Sequence, residues 1–345
     1  MYRLMLRELP PPPPLKSGWP WTETSSQVAD SMPDGSPWPR VSVVTPSYNQ
    51  MQFIEETARS VLLQGYPNLE YIIIDGGSTD GSVEIIRKYA PWLAYWVSEP
   101  DHGQADAIRK GIAQATGQIV AYLNSDDVYL PNAIASVVAA FRADSDLALV
   151  HGGSLLIDAT GKVLGRKRPQ ACAFLESFLS LTNPICQPSA FLKRSVFDAV
   201  GGIDPTFHML MDYDLWVRIC LRGMKIGHID ADLSLFRVHC KSKTTLNTVA
   251  FAEERWKLVD KCLADPVLAP QLAPYRKSLY AMAHLHLANA HWLDGQGQIA
   301  RSHYEKAIQA APRLILSRRG LSLLLRFALG RRTFRHILTE GLGDG

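Results

Sequence analysis

The chain has 345 residues, of which 47% are hydrophobic and 20% are charged, and this length allows one large globular domain plus an appendage of about 100 residues. Its formal net charge of +3 is too small to indicate binding to nucleic acid. The 5 cysteines are widely spaced and form no Cys-x-x-Cys pair, which argues against a disulfide framework or zinc cluster and predicts a cytoplasmic protein with reduced thiols. Residues 1–9 are too short and too charged for a signal peptide, and no apolar run approaches the roughly 18 residues of a membrane span.

Residues 1–40 are rich in proline and include the run from Pro10 to Pro14. Prolines at this density exclude a helix or a sheet interior, so the segment is predicted to be an extended arm. The arm also carries Trp19, Trp21 and Trp38. Because burying an aromatic side chain contributes on the order of several kcal/mol, we expect the arm to pack along the surface of the domain that follows.

From residue 41 onward, short apolar runs alternate with amphipathic segments. The runs predict strands at 41–45, 69–74, 94–97, 118–123 and 147–152, and the segments predict helices at 53–63, 83–89, 104–115 and 131–142. This alternation is typical of a doubly wound parallel sheet. A hairpin at 155–165, a helix at 212–222 and strands at 225–229 and 233–238 follow, so we expect antiparallel strands as well and a mixed sheet.

After about residue 242 the sequence predicts helices only. The segment 286–292 and the small residues that follow it have the spacing of one tetratricopeptide repeat, which favours a helical hairpin, because a free repeat array needs about three copies. The predicted regions are therefore an arm at 1–40, an α/β domain at 41–242 and a helical region at 243–345.

The segment from Arg313 to His336 contains seven arginines and no acidic residue. Within it, Leu321, Leu324, Leu325 and Ala328 recur at helical spacing, which predicts a basic amphipathic helix. Two interpretations are open: the helix lies on an anionic membrane surface, or it packs on the domain with its arginines in solvent.

Two predicted strands end in polar and acidic residues. One is the apolar run that ends at Asp75, and the other leads into Asn124-Ser125-Asp126-Asp127. The carboxyl ends of parallel strands meet at one edge of a sheet, where ligands bind. Carboxylates gathered there repel one another unless a cation lies between them, and oxygen ligands suit Mg²⁺ or Mn²⁺ bound to a diphosphate. The segment after Asp75 lacks the G-x-G-x-x-G spacing of a dinucleotide-binding fold, and the chain has no phosphate-binding loop of the NTPase type.

In chain order, the segments 41–49 and 60–64, the Asp75 segment and the segment 124–127 resemble family 2 glycosyltransferases, over about residues 41–239. The resemblance implies an α/β protein with the GT-A fold: a doubly wound mixed sheet whose first half binds a nucleotide, followed here by a C-terminal helical extension. It also implies transfer of a sugar from a nucleotide-diphosphate sugar, for which a UDP-sugar is expected. The residues that the resemblance assigns to the donor are Pro46, Tyr48, Asp75, Gly76, Asp101, Gly103 and Asp126.

Within that set, Pro46 and Tyr48 would contact the base, unless Tyr48 is a core aromatic. Many members carry a second Asp at the position of Gly76, facing the donor base. The resemblance places the ribose at Asp126 and a Mn²⁺ or Mg²⁺ ion at Asp127, with His239 matching a histidine near the metal. Asn124 departs from the family's acidic pattern and leaves one carboxylate fewer for the cation.

The segment 211–218 is similar to the family's acidic-pair motif, in which an Asp acts as the general base on the acceptor hydroxyl. Here that residue is Asp212, and Met211 replaces the usual Glu. The implied reaction is a hexosyltransferase-type in-line displacement that inverts the anomeric carbon. The expected acceptor is a saccharide or lipid-linked saccharide of surface polysaccharide biosynthesis, met at the inner face of the plasma membrane if the basic tail binds there. The alternatives are a nucleotidyltransferase of sugar phosphates and a non-catalytic interaction scaffold built on the helical tail.

Overall fold

The structure, a computed structural model, describes residues 5–170, 174–240, 242 and 248–328. Within these ranges the chain divides into two compact units. The first holds the described residues up to 170 and those from Pro184 to His239, and the second holds 174–183 and the described residues from Cys240 onward. The segment 174–183 therefore belongs with the C-terminal helices, although its position in the sequence suggests the α/β region. The boundaries at residues 40 and 242 stay predictions.

The first unit is built on one mixed sheet. The strands in the described residues are β1 Val41–Ser47, β2 Leu69–Asp75, β3 Tyr95–Ser98, β4 Ile119–Tyr122, β5 Val128–Tyr129, β6 Leu147–Ile157, β7 Val163–Lys167, β8 Ala190–Lys193 and β9 Lys225–Arg237. Their order is β3-β2-β1-β4-β8-β6-β9-β5, and β7 pairs with β6. The pairs among β1, β2, β3 and β4 are parallel, whereas β8 pairs antiparallel with β4 and β6. The predicted mixed sheet and the β6–β7 hairpin are confirmed.

The helices are α1 Ile54–Leu62, α2 Ser82–Tyr89, α3 Gln104–Gln114, α4 Ala133–Ala143, α5 Phe174–Leu179, α6 Arg194–Ala199, α7 Met211–Leu221, α8 Thr248–Ala264, α9 Ala269–Leu272, α10 Arg276–Leu293 and α11 Gly297–Ala310. Residues 318–328 are also helical. In the sequence, β5, β8, α5 and α6 are too short to show a period. The two strands predicted at 225–238 are a single strand, β9.

The sheet brings the strand ends of its parallel half to one edge. The register pairs Ser47 of β1 with Asp75 of β2, and Asp75 with Ser98 of β3. Strand β1 is buried along its whole length, as expected for a parallel strand covered on both faces. The loops that follow β1, β2, β3 and β4 therefore start from neighbouring positions, as the sequence predicts.

The N-terminal arm is packed against the first unit. Trp21 is 5% exposed, and the Trp19 indole N–H donates to the carbonyl oxygen of Tyr129 at 2.7 Å. The fully buried Arg59 of α1 donates to carbonyl oxygens of the arm at Pro10, Pro20 and Trp21, at 2.8 to 3.1 Å. Its guanidinium thus satisfies backbone acceptors that are removed from water, which is the usual requirement for a buried polar segment.

The second unit is helical. Helices α10 and α11 form the predicted hairpin, in which Leu285 and Ala288 pack with Tyr304 and Ala307. Leu323, from the helix over 318–328, completes this cluster. The part of the predicted basic helix beyond 328 lies outside the described residues. Among the helices that the structure describes, none combines the length and apolar character that crossing a bilayer requires.

Arg59→Met is expected to lower the free energy of unfolding by about 3 kcal/mol or more, because several buried carbonyl oxygens lose their donor and each unsatisfied group costs roughly 1–3 kcal/mol. Urea unfolding followed by tryptophan fluorescence measures the change. Arg40→Met is the matched control, since Arg40 is exposed and bonds two side chains, Asn68 and Thr116. An equal loss in both variants would show that Arg59 does not anchor the arm.

Candidate functional site

Asp75 ends β2 as a fully buried carboxylate that accepts five hydrogen bonds. Ser47 and Ser98, from the two neighbouring strands, donate their hydroxyls to it at 3.0 and 2.7 Å. The loop that follows donates the backbone N–H groups of Gly77 and Ser78 and the Ser78 hydroxyl. Both oxygens of Asp75 are therefore used within the protein, and Asp75 organises this loop directly. Its predicted contact with the donor stays a prediction.

Gly76 and Asp101 lie side by side although they are far apart in the sequence. A Cβ atom built at Gly76 would lie 2.8 Å from Asp101 Oδ2. Asp101 Oδ1 accepts the N–H of Gly103 at 2.7 Å, and Gly103 has a φ of +103° just before α3. The loop before α3 thus places the carboxylate of Asp101 beside Gly76, in the space that a side chain at position 76 would occupy.

Tyr48 follows β1 and is 63% exposed, so it is not a core aromatic. Pro46 is buried in β1. The backbone around Tyr48 is held by the next loop, because the N–H of Asn49 donates to Ser78 Oγ at 2.7 Å and Asn49 Oδ1 accepts the N–H of Thr79 at 3.0 Å. The aromatic ring therefore stands in solvent on a fixed backbone, which suits it to stacking on a flat ligand.

Helix α1, together with Gln64 just after it, binds the backbone of residues 125–130 from the interior side. Thr57, Ser60 and Gln64 are fully buried, and they bind backbone groups of 125–130 at 2.7 to 3.1 Å. Thr57 and Gln64 donate to carbonyl oxygens, and Ser60 Oγ accepts an N–H. These bonds explain why the segment 60–64 begins with Ser60 and ends with Gln64. The three apolar residues between them face the core.

Asp126 and Asp127 have different environments. Asp127 is 1% exposed, and its oxygens accept the backbone N–H of Arg237 at 2.9 Å and the amide of Asn124 at 3.3 Å. Burial, followed by the charge of Asp126, raises the pKa of Asp127 well above its ordinary value. Asp126 is 19% exposed, and its Oδ2 lies 3.1 Å from His239 Nε2. The side chain of His239 is 8% exposed, so Asp126 is the more exposed member of this hydrogen-bonded pair, which we call the outer pair, and Asp127 lies behind it.

Asn124 links the acidic segment to its neighbours through its amide. It accepts a hydrogen bond from Gln104 Nε2 at the start of α3, and its own N–H groups donate to Asp127 and to Gln187 Oε1. Gln187 in turn donates to the carbonyl oxygen of Tyr122 at 2.7 Å. A carboxylate at position 124 has no N–H to donate to Asp127, so the departure from the acidic pattern is matched by this amide network.

Arg237 does not offer a cation to a ligand. It is 2% exposed, and its guanidinium is 2.9 Å from the carboxylate of Glu56 and donates to the backbone carbonyl oxygens of Asp126 and Asp158. The guanidinium of Arg237 lies over the ring of Phe53. The ring of Phe53 also contacts His239, with 5.1 Å between the centroids of these two rings. Arg237 therefore stabilises the loop behind the outer pair.

Asp212 is a half-buried residue in the first turn of α7. Burial raises the pKa of Tyr122, and the charges of Asp212 and Asp127 raise it further. Tyr122 thus lies within the electrostatic reach of both carboxylates, which places Asp212 near the acidic segment. Asp214 is fully buried and bonded to Arg218 at 2.7 Å, as expected for a structural residue.

Among the described residues, no group of three or more His, Cys, Asp and Glu side chains has an arrangement that would hold a metal ion by itself. The outer pair, Asp126 and His239, could supply two side-chain ligands. That number fits a cation of the Mg²⁺ or Mn²⁺ type, which keeps several waters and binds substrate phosphates alongside one or two protein ligands.

Comparison with known proteins identifies the family of the chain. A family model described as Glycosyl transferase family 2 matches residues 42–201. An uncharacterized glycosyltransferase of Mycobacterium tuberculosis is 32% identical over 187 residues, which cover 53% of this chain and 70% of that protein. One of Nostoc sp. is 27% identical over 215 residues, covering 58% and 65%. The chain therefore belongs to the family 2 glycosyltransferases, as the sequence motifs predict.

Solved structures confirm the predicted GT-A fold. A mannosyltransferase from Pyrobaculum calidifontis in complex with GDP-Man and Mn²⁺ is similar with a TM-score of 0.57 at 22% identity, covering 88% of this chain and 84% of that one. Residues 1–349 of TarS from S. aureus in complex with UDP-GlcNAc give a TM-score of 0.55 at 15% identity, covering 81% and 91%. At these identities the similarity shows the fold alone.

Asp75→Asn is expected to lower the free energy of unfolding by about 2 kcal/mol, because the amide cannot accept all five hydrogen bonds and bonds to a charged group are worth roughly 1.5–3 kcal/mol. Hydrogen exchange of the loop 76–81 should become at least tenfold faster without any ligand. Asp101→Asn is the control, since its amide oxygen can still accept from Gly103, and it should leave this exchange unchanged. Slow exchange in Asp75→Asn would mean that the loop is held by other contacts.

Proposed function

We propose that the chain is a metal-dependent, inverting glycosyltransferase. It moves a hexosyl group from a nucleotide-diphosphate sugar to a hydroxyl of a saccharide or lipid-linked saccharide. The observation that carries the proposal is the Asp126–His239 pair at the strand-end edge, whose partly exposed member is Asp126, backed by the buried Asp127. Membership of a glycosyltransferase family argues against the nucleotidyltransferase alternative. Measured turnover of the donor would exclude a non-catalytic scaffold.

We assign the metal to Asp126 and His239 and a positioning role to Asp127, whereas the resemblance implied the ribose at Asp126 and the metal at Asp127. Two ligands about 2.1 Å from an octahedral cation and at right angles to each other are about 3 Å apart, and Asp126 Oδ2 and His239 Nε2 are 3.1 Å apart. Asp127 is 1% exposed, so a cation reaches the partly exposed Asp126 more readily. A bound Mn²⁺ or Mg²⁺ would neutralise the diphosphate as it departs.

For the donor, we propose that Tyr48 stacks on the base and that Asp101 accepts its ring N–H. The carboxylate of Asp101 occupies the space beside Gly76 where many family members carry a second Asp. Uracil and guanine both have a ring N–H that a carboxylate can accept, and the solved relatives bind UDP-GlcNAc and GDP-Man. A UDP-sugar remains the expected donor, with Pro46, Gly76 and Gly103 shaping the backbone around it.

Asp212 is the proposed general base. Its side chain is half-buried at the start of α7, where it remains accessible to an acceptor hydroxyl. Taking the proton during attack on the anomeric carbon contributes typically 10²- to 10⁴-fold to such a reaction. The role in surface polysaccharide biosynthesis, and the location in the cytoplasm or at the inner face of the plasma membrane, stay predictions.

A panel of UDP- and GDP-sugars titrated by calorimetry tests the donor and the metal. Wild type is expected to bind one of them at least tenfold more tightly in Mn²⁺ than in EDTA. Asp126→Asn should abolish that difference, because the amide loses the charge that a cation requires, and His239→Gln should reduce it. Asp198→Asn, at an exposed carboxylate on α6, is the control. If only Asp127→Asn removes the metal effect, the original assignment of the metal to Asp127 is correct.

Asp212→Asn should leave donor affinity within about threefold of wild type and lower turnover by at least about 100-fold. Proton NMR of the wild-type product gives its anomeric configuration, and inversion requires a configuration opposite to that of the donor. Asp198→Asn again serves as the control. Normal turnover in Asp212→Asn would exclude it as the base, and retention in the product would exclude the single displacement.

A further inference from the structure

The second unit contains a cavity of about 480 Å³ between α10 and the helix over 318–328. Its polar lining comes from His286 and Asn289 of α10 and from Arg318, Arg319, Ser322 and Arg326 of the other helix. None of these side chains is acidic. Three guanidinium groups and two neutral hydrogen-bonding groups thus surround one space, together with a buried histidine.

The histidine carries no charge at neutral pH. Arg319 Nη1 lies 2.9 Å from His286 Nε2 and donates to the carbonyl oxygen of Ser180 at 2.8 Å. Nε2 of His286 also lies 3.2 Å from the carbonyl oxygen of Ser180, so it either accepts a hydrogen bond from Arg319 or donates one to Ser180. Burial, followed by the charges of Arg255 and Arg319, lowers the pKa of His286 to about 3. The charge of the cavity is therefore set by its arginines.

Arg326 is oriented by its neighbours. Its Nη1 donates to Asn289 Oδ1, and its guanidinium lies 4.9 Å from the ring centroid of Trp292. Burial lowers the pKa of Arg326, which means that its charge is partly removed from water. Like charges gathered in such a place are unfavourable by themselves, and an anion between them would offset that repulsion.

The same helix presents leucines to solvent. Leu323 is 2% exposed and packs in the hairpin cluster, whereas Leu321, Leu324 and Leu325 are 44%, 42% and 56% exposed. The helix thus directs Arg319 and Arg326 towards α10 and its apolar stripe outward. A basic cavity beside an exposed apolar row has the chemistry of a surface that meets a lipid with an anionic headgroup.

We propose that this cavity binds a phosphate or diphosphate ester, with Arg318, Arg319 and Arg326 contacting the phosphate oxygens. Guanidinium groups pair with phosphate in a bidentate manner, and a volume near 480 Å³ lies in the range of small-molecule sites, about 300–1,000 Å³. The phosphate belongs either to a lipid headgroup, which the exposed leucines favour, or to a soluble ligand. The site does not depend on the proposed transferase activity, because none of the donor-site residues belongs to the second unit.

Two binding measurements on the full chain in EDTA distinguish these sources. In the first, inorganic pyrophosphate is titrated by calorimetry. In the second, the protein is sedimented with phosphatidylcholine vesicles that contain or lack phosphatidic acid, at one fixed salt concentration. Binding of pyrophosphate indicates that a soluble phosphate suffices, and binding only to phosphatidic acid vesicles indicates a lipid. Absence of binding in both measurements overturns the proposal.

Arg318→Gln/Arg326→Gln should weaken the observed binding at least tenfold. The charge-matched control Arg276→Gln/Arg313→Gln, at two exposed arginines outside the cavity, should stay within twofold of wild type. An equal loss in the control would show nonspecific attraction and would overturn the site. Arg318→Gln alone retains the Arg326–Asn289 bond and should weaken binding at least threefold. If the double variant does not fold, this single variant tests the proposal in its place. Binding of UDP in Mn²⁺ should be the same in all variants, and its loss in every protein would count against the transferase proposal only.

Discussion

The site depends on the bonds that helix α1, together with Gln64 just after it, makes to the backbone of residues 125–130. Thr57, Ser60 and Gln64 are fully buried and bind 125–130 from the interior side. Losing one such bond would leave a buried backbone group without a hydrogen-bond partner, which lowers the free energy of unfolding by roughly 1–3 kcal/mol. The path of the segment is therefore set by directional bonds, and this path decides that Asp127 faces inward and Asp126 outward.

Buried and accessible carboxylates occur in pairs around this edge. In each pair one carboxylate is buried and the other is half-buried: Asp75 with Asp101, Asp127 with Asp126, and Asp214 with Asp212. The buried members are bonded to protein groups, Asp75 and Asp127 to backbone N–H groups and Asp214 to Arg218. The half-buried members keep part of their surface exposed, and these are the carboxylates that we propose contact the ligands.

Much of the fold could be predicted from the sequence, because buried parallel strands are unbroken apolar runs and β1, β2 and β4 are such runs. The edge where the ligand residues gather follows from the same pattern. The burial of Asp127 and the partial exposure of Asp126 could not be predicted, because the burial of two consecutive residues depends on tertiary contacts. The proximity of Asp101 to Gly76 is also a tertiary contact without a local signal. The placement of 174–183 with the helices was missed for the same reason.

The N-terminal arm has a consequence for how the chain tolerates shortening. Its contacts reach α1 through Arg59 and reach β5 through the bond from Trp19 to Tyr129, two residues after Asp127. A chain beginning at residue 41 would expose the apolar surface that Trp21 covers. The guanidinium of Arg59 would also lose the carbonyl oxygens of the arm to which it donates. Such a protein would be prone to aggregate, and any soluble fraction would have a loosened acidic segment. Removal of the seemingly dispensable proline-rich arm would therefore disturb the acidic segment, although no residue of that segment is changed.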